Sequence, residues 1–251
     1  MVFKLYSAGF LAGGGLIVAL VLNEKSIPFE HITVNAAEAG HKTAEFLEKH
    51  PFGQLPVIDD DGFILYETRA ILRYIENKFP ARGIALAPGA AATVEEKALF
   101  DRGLSVEHAN FFPAVFKVMN EAVLKPHYGK QTDEAILKTG RAELEARLDV
   151  YEVILSKQKY TGGEVGIQFP SRSCADRATK TFSFVDLLHL WHVPVLAQMG
   201  KIEVMNNEKR PNILRYVFFS SIELISPDNL KLVDRGFDSP RISENSGRRN
   251  Y

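Results

Sequence analysis

The chain has one cysteine, Cys174, in 251 residues. An internal disulfide and a cysteine-based zinc site are therefore excluded, and the usage fits a reducing, cytoplasmic setting. Charge of one sign is lacking as well: 30 basic residues face 31 acidic ones. No global field draws such a chain onto a phosphate backbone or an anionic bilayer, so neither nucleic acid nor membrane is expected as a partner. Long hydrophobic runs are short too. Ala8 to Leu22 carries no charge for fifteen residues, below the roughly 20 needed to span a bilayer. No small-x-small cleavage pattern follows it, and Asn23-Glu24-Lys25 leads straight into a strand-like run. The stretch is expected to be a strand and helix of the mature domain rather than a secretion signal.

What is present is ample apolar material, 46% of residues, ordered in two regimes. Phe3 to Tyr6 reads as a strand, Leu16 to Glu24 as a buried helix, Phe29 to Val34 as a second strand and Ala44 to Lys49 as a short helix. Two apolar runs, Leu55 to Ile58 and Phe63 to Tyr66, flank Asp59-Asp60-Asp61-Gly62, and Asp-Gly in that setting signals a hairpin. A helix from Thr68 to about Phe79 stops at Pro80. The order βαβαββα makes an α/β unit over 1–80 with a mixed sheet. Residues 81–92 read as a linker and 93–238 as an all-helical unit, with helical spacing over Val94 to Met119, Asp133 to Lys157 and Phe184 to Met199. Ser183-Phe184-Val185-Asp186 is a capping box starting a buried helix. A stretch at about 162–181 has no period and is expected as a surface excursion. The polar segment 239–251 is expected as a frayed tail.

Three features of the first unit point to a ligand with separated carboxylates. Pro56 has no N–H to give, and a cis bond before it turns the Leu55 backbone outward, where an extended peptide can pair with it; an edge-strand proline is the simpler reading of the same spacing. Glu67-Thr68 opens a helix, and Thr68 as its cap, with the first-turn N–H groups, forms a carboxylate site, although capping alone also explains the threonine. His41-Lys42, ahead of the second helix, offers a ring N–H and an ammonium to another carboxylate, unless it is simply a solvated loop. Together they suit a short dicarboxylic peptide.

These residues carry a resemblance. Lys4-Leu5-Tyr6, Gly40-His41-Lys42 with Glu45-Phe46-Leu47, His50-Pro51-Phe52-Gly53-Gln54-Leu55-Pro56 and Tyr66-Glu67-Thr68-Arg69-Ala70-Ile71 resemble the glutathione S-transferases, most closely the phi-like class of fungi and plants. In the helical half the matching stretches are Val106-Glu107-His108-Ala109-Asn110-Phe111, Lys125-Pro126, Leu148-Asp149-Val150-Tyr151-Glu152, Lys157-Gln158-Lys159-Tyr160 and Asp186-Leu187-Leu188-His189-Leu190. The resemblance covers about 1–160 and 182–216. It implies a thioredoxin-like N-terminal domain that binds glutathione, followed by a helical domain shaping a pocket for small hydrophobic electrophiles. By position it assigns His41 and Lys42 to the glycine carboxylate, Leu55 with Pro56 to the cysteinyl backbone, and Gln54, Glu67 and Thr68 to the γ-glutamyl end. Glutathione is then a co-substrate, with no cofactor and no metal, and a homodimer is expected.

The activating position departs from the family. Phi-like enzymes carry a serine just ahead of the first helix that hydrogen-bonds the thiolate, and its equivalent here is Leu11 or Ala12. The nearest hydroxyls are Tyr6 and Ser7, the candidate catalytic groups. The run Gly13-Gly14-Gly15 offers backbone N–H groups as a substitute, or marks a loop in which turnover was lost; no Lys-Ser/Thr follows it, so it is not a phosphate loop. Phe10, Leu11, Phe112 and Phe116 are the candidate substrate pocket, with Phe111 and Met119 as further candidates, although aromatic stripes at helical spacing often serve the core. His108, His189 and His192 share no metal-ligand spacing. Cys174 is not at the helix start where disulfide-reducing relatives carry theirs. Twenty-two residues separate Tyr160 from Ser183, about sixteen more than the turn needs, and the segment after Arg210-Pro211-Asn212 lacks the tryptophan the family places there. Two functions follow: conjugation or exchange of glutathione with small hydrophobic electrophiles or peroxides, or binding of glutathione or a hydrophobic ligand without turnover.

Overall fold

The computed structural model describes residues 3–8, 13–162, 182–198, 200, 202 and 208–224. Phe10, Leu11, Ala12, Cys174 and the stretches 163–181 and 225–251 lie outside the described residues.

The first unit runs β1 (Phe3–Ala8), α1 (Gly14–Glu24), β2 (Phe29–Val34), a 3₁₀ turn at Gly40–Lys42, α2 (Ala44–Lys49), β3 (Val57–Asp60), β4 (Phe63–Tyr66) and α3 (Thr68–Lys78). The four strands lie in the order β2-β1-β3-β4. β1 pairs parallel with β2 from Phe3↔Phe29 to Ala8↔Val34, while β3 pairs antiparallel with β1 and β4. This is the expected mixed, thioredoxin-like sheet. β1 extends two residues past the predicted Tyr6 because β2 supplies partners as far as Val34. The β3–β4 hairpin turns on Asp61 and Gly62, both at positive φ (56° and 91°), as a two-residue turn of primed type requires. The Gly62 N–H also donates to Asp59 Oδ1 at 2.7 Å.

α1 is buried from Gly15 through Leu22, which accounts for its lack of charge: a helix apolar all round belongs inside. Each large aliphatic side chain there contributes about 1.5–3 kcal/mol by leaving water. At its C-terminal end the fully buried Lys25 ammonium sits 3.1 Å from Glu76 Oε1 and donates to the Arg82 and Ile84 carbonyls. Glu76 Oε1 also accepts from Leu86 N–H. Segment 81–92 is thus tied back to the sheet unit, and Leu86 and Ala87 are buried.

The helical unit comprises α4 (Val94–Val106), α5 (Phe112–Met119), α6 (Lys125–His127), α7 (Glu134–Leu155), α8 (Phe184–Leu190), α9 (His192–Gln198) and α10 (Pro211–Leu224). The predicted helix Val94 to Met119 contains a π-helical turn at Glu107–Phe111, and a second one at Asn120–Leu124 continues it. The predicted helix Phe184 to Met199 is two helices joined at Trp191. Pro194 cannot donate to the Leu190 carbonyl, so the hydrogen-bond ladder stops there.

One buried carboxylate organises this unit. Asp186, fully buried, accepts from Thr161 N–H and Oγ1 and from Tyr216 Oη on Oδ1, and from Ser183 N–H and Oγ on Oδ2. The capping box read from the sequence is therefore one part of a five-donor node joining the start of α8 to α10 and to the chain after α7. Removing a partner leaves buried donors unmet. Asp186→Ala is expected to cost about 3 kcal/mol or more, read as a lower denaturation midpoint with an unchanged slope; a loss below about 1 kcal/mol would show the node is dispensable.

Candidate functional site

Between the two units lies a cleft of about 780 Å³, within the range of small-molecule sites. One wall comes from the sheet unit: Gly14, Ile17, Ala36, His41, Lys42, Gly53 to Leu55 and Glu67 to Arg69. The other comes from the helices and includes Glu107, His108, Phe112, Phe116 and Trp191.

The anion-attracting end is the first turn of α3. Glu67, not Thr68 as predicted, is the residue that caps it, at φ 71°, a conformation rare outside glycine, and it makes no side-chain capping bond. Thr68 is the first helical residue, because the turn out of β4 is made one residue earlier. The chain approaches itself closely here. A Cβ on Gly14 would lie 2.1 Å from Thr68 Oγ1 and 2.8 Å from Pro56 Cδ, and one on Gly15 would lie 2.6 Å from Ser7 Cβ. The glycines let the N-terminus of α1 rest against the start of α3 and against Pro56, which is joined to Leu55 by a cis peptide.

At the other end the Lys42 ammonium donates to the Phe52 carbonyl at 2.9 Å and the Gly53 carbonyl at 2.7 Å. Two of its three donors are used, leaving one for a ligand. Gly53, at φ 55°, has no room for a side chain: its Cβ would lie 2.5 Å from the His41 carbonyl. His41 Nδ1 is buried without a partner among the described residues. Burial, then the Lys42 charge, lowers the His41 pKa, so the ring is neutral near pH 7.

Gln54, Leu55, Glu67 and Thr68 line the same cleft as His41 and Lys42, with Pro56 buried beneath. Phe112 and Phe116 form the opposite apolar wall, their rings stacked at 5.5 Å, and the Arg69 guanidinium lies 5.7 Å from the Phe112 ring. Phe111 and Met119 face the core. Tyr6 and Ser7 do not line the cleft. Alternation along β1 sends Leu5 and Ser7 under α1. There Ser7 is 1% exposed and its hydroxyl lies 2.7 Å from His31 Nε2. Tyr6 points to the other face of the sheet, with Lys49 Nζ 6.0 Å from its ring.

Sequence reasoning gave no role to Arg69, Glu107 or Trp191. Glu107 is fully buried and its Oε2 accepts from Arg69 Nε at 2.9 Å and from Arg69 Nη2. Burial raises its carboxyl to about 7, the Arg69 charge opposing. Both residues stood in matched stretches, but only the fold brings positions 69 and 107 together. Trp191 lies 3.7 Å from where a Gly13 Cβ would be and packs on His192. Among the described residues no cluster of His, Cys, Asp or Glu could hold a metal ion, and no helix is long and apolar enough to cross a membrane.

Comparison with known proteins places this architecture. The family model "Glutathione S-transferase, N-terminal domain" matches residues 1–77. The chain is 33% identical over 225 residues to glutathione S-transferase hmp2 of Hypomyces subiculosus, covering 89% of this chain and 94% of that one. It is 34% identical over 200 residues to glutathione S-transferase F4 of Arabidopsis thaliana, covering 80% and 74%. The crystal structure of glutathione transferase F7 from Populus trichocarpa aligns with a TM-score of 0.77 at 28% identity, covering 94% of this chain and 99% of that one. The chain belongs to the glutathione S-transferase family. Within it, the chain is phi-like.

The Gly14 contact yields a direct check. Gly14→Ala is expected to destabilise the protein by about 1–3 kcal/mol through overpacking, and adding Thr68→Ala, which removes the 2.1 Å clash, recovers part of that loss in a double-mutant cycle. Strict additivity of the two effects would mean α1 does not rest on Thr68.

Proposed function

We propose that this protein transfers glutathione onto small hydrophobic electrophiles or peroxides, and that the first turn of α1 rather than a side-chain hydroxyl activates the sulfur. One observation carries the reading: a single cleft joins an α3 N-terminus, the His41–Lys42 pair and the Leu55 backbone on one wall to stacked aromatic rings on the other. The α3 first turn takes the γ-glutamyl carboxylate, with Gln54 and Glu67 beside it. Leu55, ahead of Pro56, pairs with the cysteinyl backbone, and the third Lys42 donor with the His41 ring takes the glycine carboxylate.

The glutathione thiol then lies toward Gly14. The N–H groups of Gly14, Gly15 and Leu16 open α1 and have no intrahelical acceptor, and the helix dipole adds positive potential there. A thiolate held by them attacks an electrophilic carbon: the S–C bond forms, the bond to the leaving group breaks, and the thiol proton passes to solvent. Phe112 and Phe116 offer the electrophile an apolar face. No metal or further cofactor enters. A second reading, a glutathione- or hydrophobic-ligand-binding protein without turnover, is favoured by one observation: neither candidate hydroxyl, Tyr6 or Ser7, lines the cleft.

A homodimer in the cytoplasm completes the proposal. Phe52 stands 68% exposed at its loop tip, and Val150 and Val153 on α7 are more than half exposed; a second copy gives this apolar surface cover. Phe52→Ser is expected to shift the light-scattering mass from dimer to monomer, and a monomeric parent protein would sink the expectation.

The deciding measurement is thiolate absorption of bound glutathione against pH. Activation by backbone predicts an apparent thiol pKa at least about one unit below that of the free thiol, near 8.5, with Tyr6→Phe and Ser7→Ala each holding turnover within about threefold. An unshifted thiol would make the protein a binder; a hundredfold loss in either variant would return activation to a hydroxyl.

A further inference from the structure

His108 is the exposed polar side chain of the helical wall that the chemistry above leaves unused. It lines the cleft, and its ring stacks on Phe112 at 6.5 Å. Phe112 stacks in turn on Phe116 at 5.5 Å. Residues four apart share a helix face, so 108, 112 and 116 make a ladder of flat rings along the wall. Neither nitrogen of the His108 ring has a hydrogen-bond partner among the described residues. The cations of the cleft are partly spent: Arg69 gives Nε and Nη2 to Glu107 Oε2, and Lys42 donates to the Phe52 and Gly53 carbonyls.

The ladder has a direction. Phe112 stands toward the sulfur, since the Arg69 guanidinium lies 5.7 Å from its ring and Arg69 follows Thr68, against which Gly14 rests. Trp191 flanks the same end with the carbon edge of its indole, Cη2 falling 3.7 Å from where a Gly13 Cβ would be. His108 stands one helical turn beyond Phe112. A flat molecule laid on the ladder with its reacting carbon at Gly14 extends its next atoms past Phe112 toward an imidazole N–H.

We propose that His108 is a catalytic hydrogen-bond donor to the oxygen of conjugated carbonyl electrophiles, which makes flat α,β-unsaturated ketones the substrate class this cleft favours. The inference rests on the transferase reading above. The thiolate pair forms the S–C bond at the β-carbon, and the C=C pair shifts to give an enolate. The enolate oxygen accepts the His108 N–H, which an imidazole supplies in either protonation state. The α-carbon then takes a proton from solvent, matching the one the thiol released. No group leaves, and no oxidant or reductant enters. Because the oxygen gains its charge only as the S–C bond forms, a donor aimed there stabilises the transition state more than the bound ketone. An electrophile that sheds a halide develops its charge elsewhere and gains nothing from that donor.

The experiment measures glutathione conjugation to benzylideneacetone, a flat conjugated ketone, and to benzyl chloride, which keeps the phenyl ring but places its charge on departing chloride. The readout is the ratio of the two kcat/KM values, in which any loss of apolar wall common to both cancels. His108→Phe keeps a ring on Phe112 but has no N–H, and it is expected to lower the ratio by about tenfold or more. His108→Gln, whose amide still donates, recovers part of it. An unchanged ratio in His108→Phe, or equal ratios in the two variants, overturns the inference. If the parent protein conjugates benzyl chloride and leaves benzylideneacetone untouched, the inference falls while the transferase reading stands; conjugation of neither overturns both. Should His108→Phe fail to fold, His108→Leu takes its place with the same expectation.

Discussion

A carboxylate sealed from water needs a cation within reach, and Glu107 finds its cation across the boundary between two units of different architecture. Arg69 reaches it from the first turn of α3, and the same guanidinium lies over the Phe112 ring. Such a pair is poor evidence for stability, because desolvating both ions offsets most of their attraction. Its consequence is geometric. The start of α3, the π turn and the aromatic wall are held in one arrangement by a single side chain, and each of them lines the cleft.

From that anchor the rest of the site is built mainly of backbone. Thr68, next to Arg69, limits how near α1 can come, and Gly14 lets it come to the limit. Gly53 does the same for the loop that Lys42 holds by its carbonyls. Where side chains are absent for steric reasons, the groups left facing a ligand are N–H and C=O. A peptide is recognised well by such a surface, since it carries the complementary set. The Asp186 node lies apart from this and serves the helical unit, keeping α8 against α10 so that Leu188 and Trp191 present a fixed edge to the cleft.

Periodicity and turn chemistry made most of this legible. The βαβαββα order, the hairpin at Asp61-Gly62, the Pro80 stop and the capping box at Ser183 all follow from local rules, and local rules survive folding here because the elements are short and strongly patterned. The cleft-lining residues of the first unit were legible for the same reason, lying at element starts where backbone groups are unpaired. What stayed hidden depends on distance in sequence. The Arg69–Glu107 pair joins positions 38 apart, and no periodicity announces a partner that far away. The burial of the Ser7 hydroxyl was not legible because strand alternation, rather than proximity to the glycines, decides which face a β1 side chain takes, and that face is covered by α1. The π turn at Glu107–Phe111 and the break at Trp191 were not announced, because an apolar stripe read at a 3.6-residue period marks which turns are buried and not where the hydrogen-bond ladder changes.

The missing serine is then a question of magnitude. Lowering a thiol by two units needs about 2.7 kcal/mol of preference for the thiolate. A helix N-terminus supplies about 0.3–1 kcal/mol when exposed and up to about 2 in a partly buried setting, while a hydrogen bond from N–H to a charged acceptor supplies about 1.5–3. One well-placed α1 N–H and the dipole behind it therefore reach the requirement without a hydroxyl, provided no anion nearby cancels them. Glu67 and Glu107 are the carboxylates that line the same cleft, and burial raises Glu107 to about 7 with the Arg69 charge set against it, so the balance at the sulfur turns on these two groups.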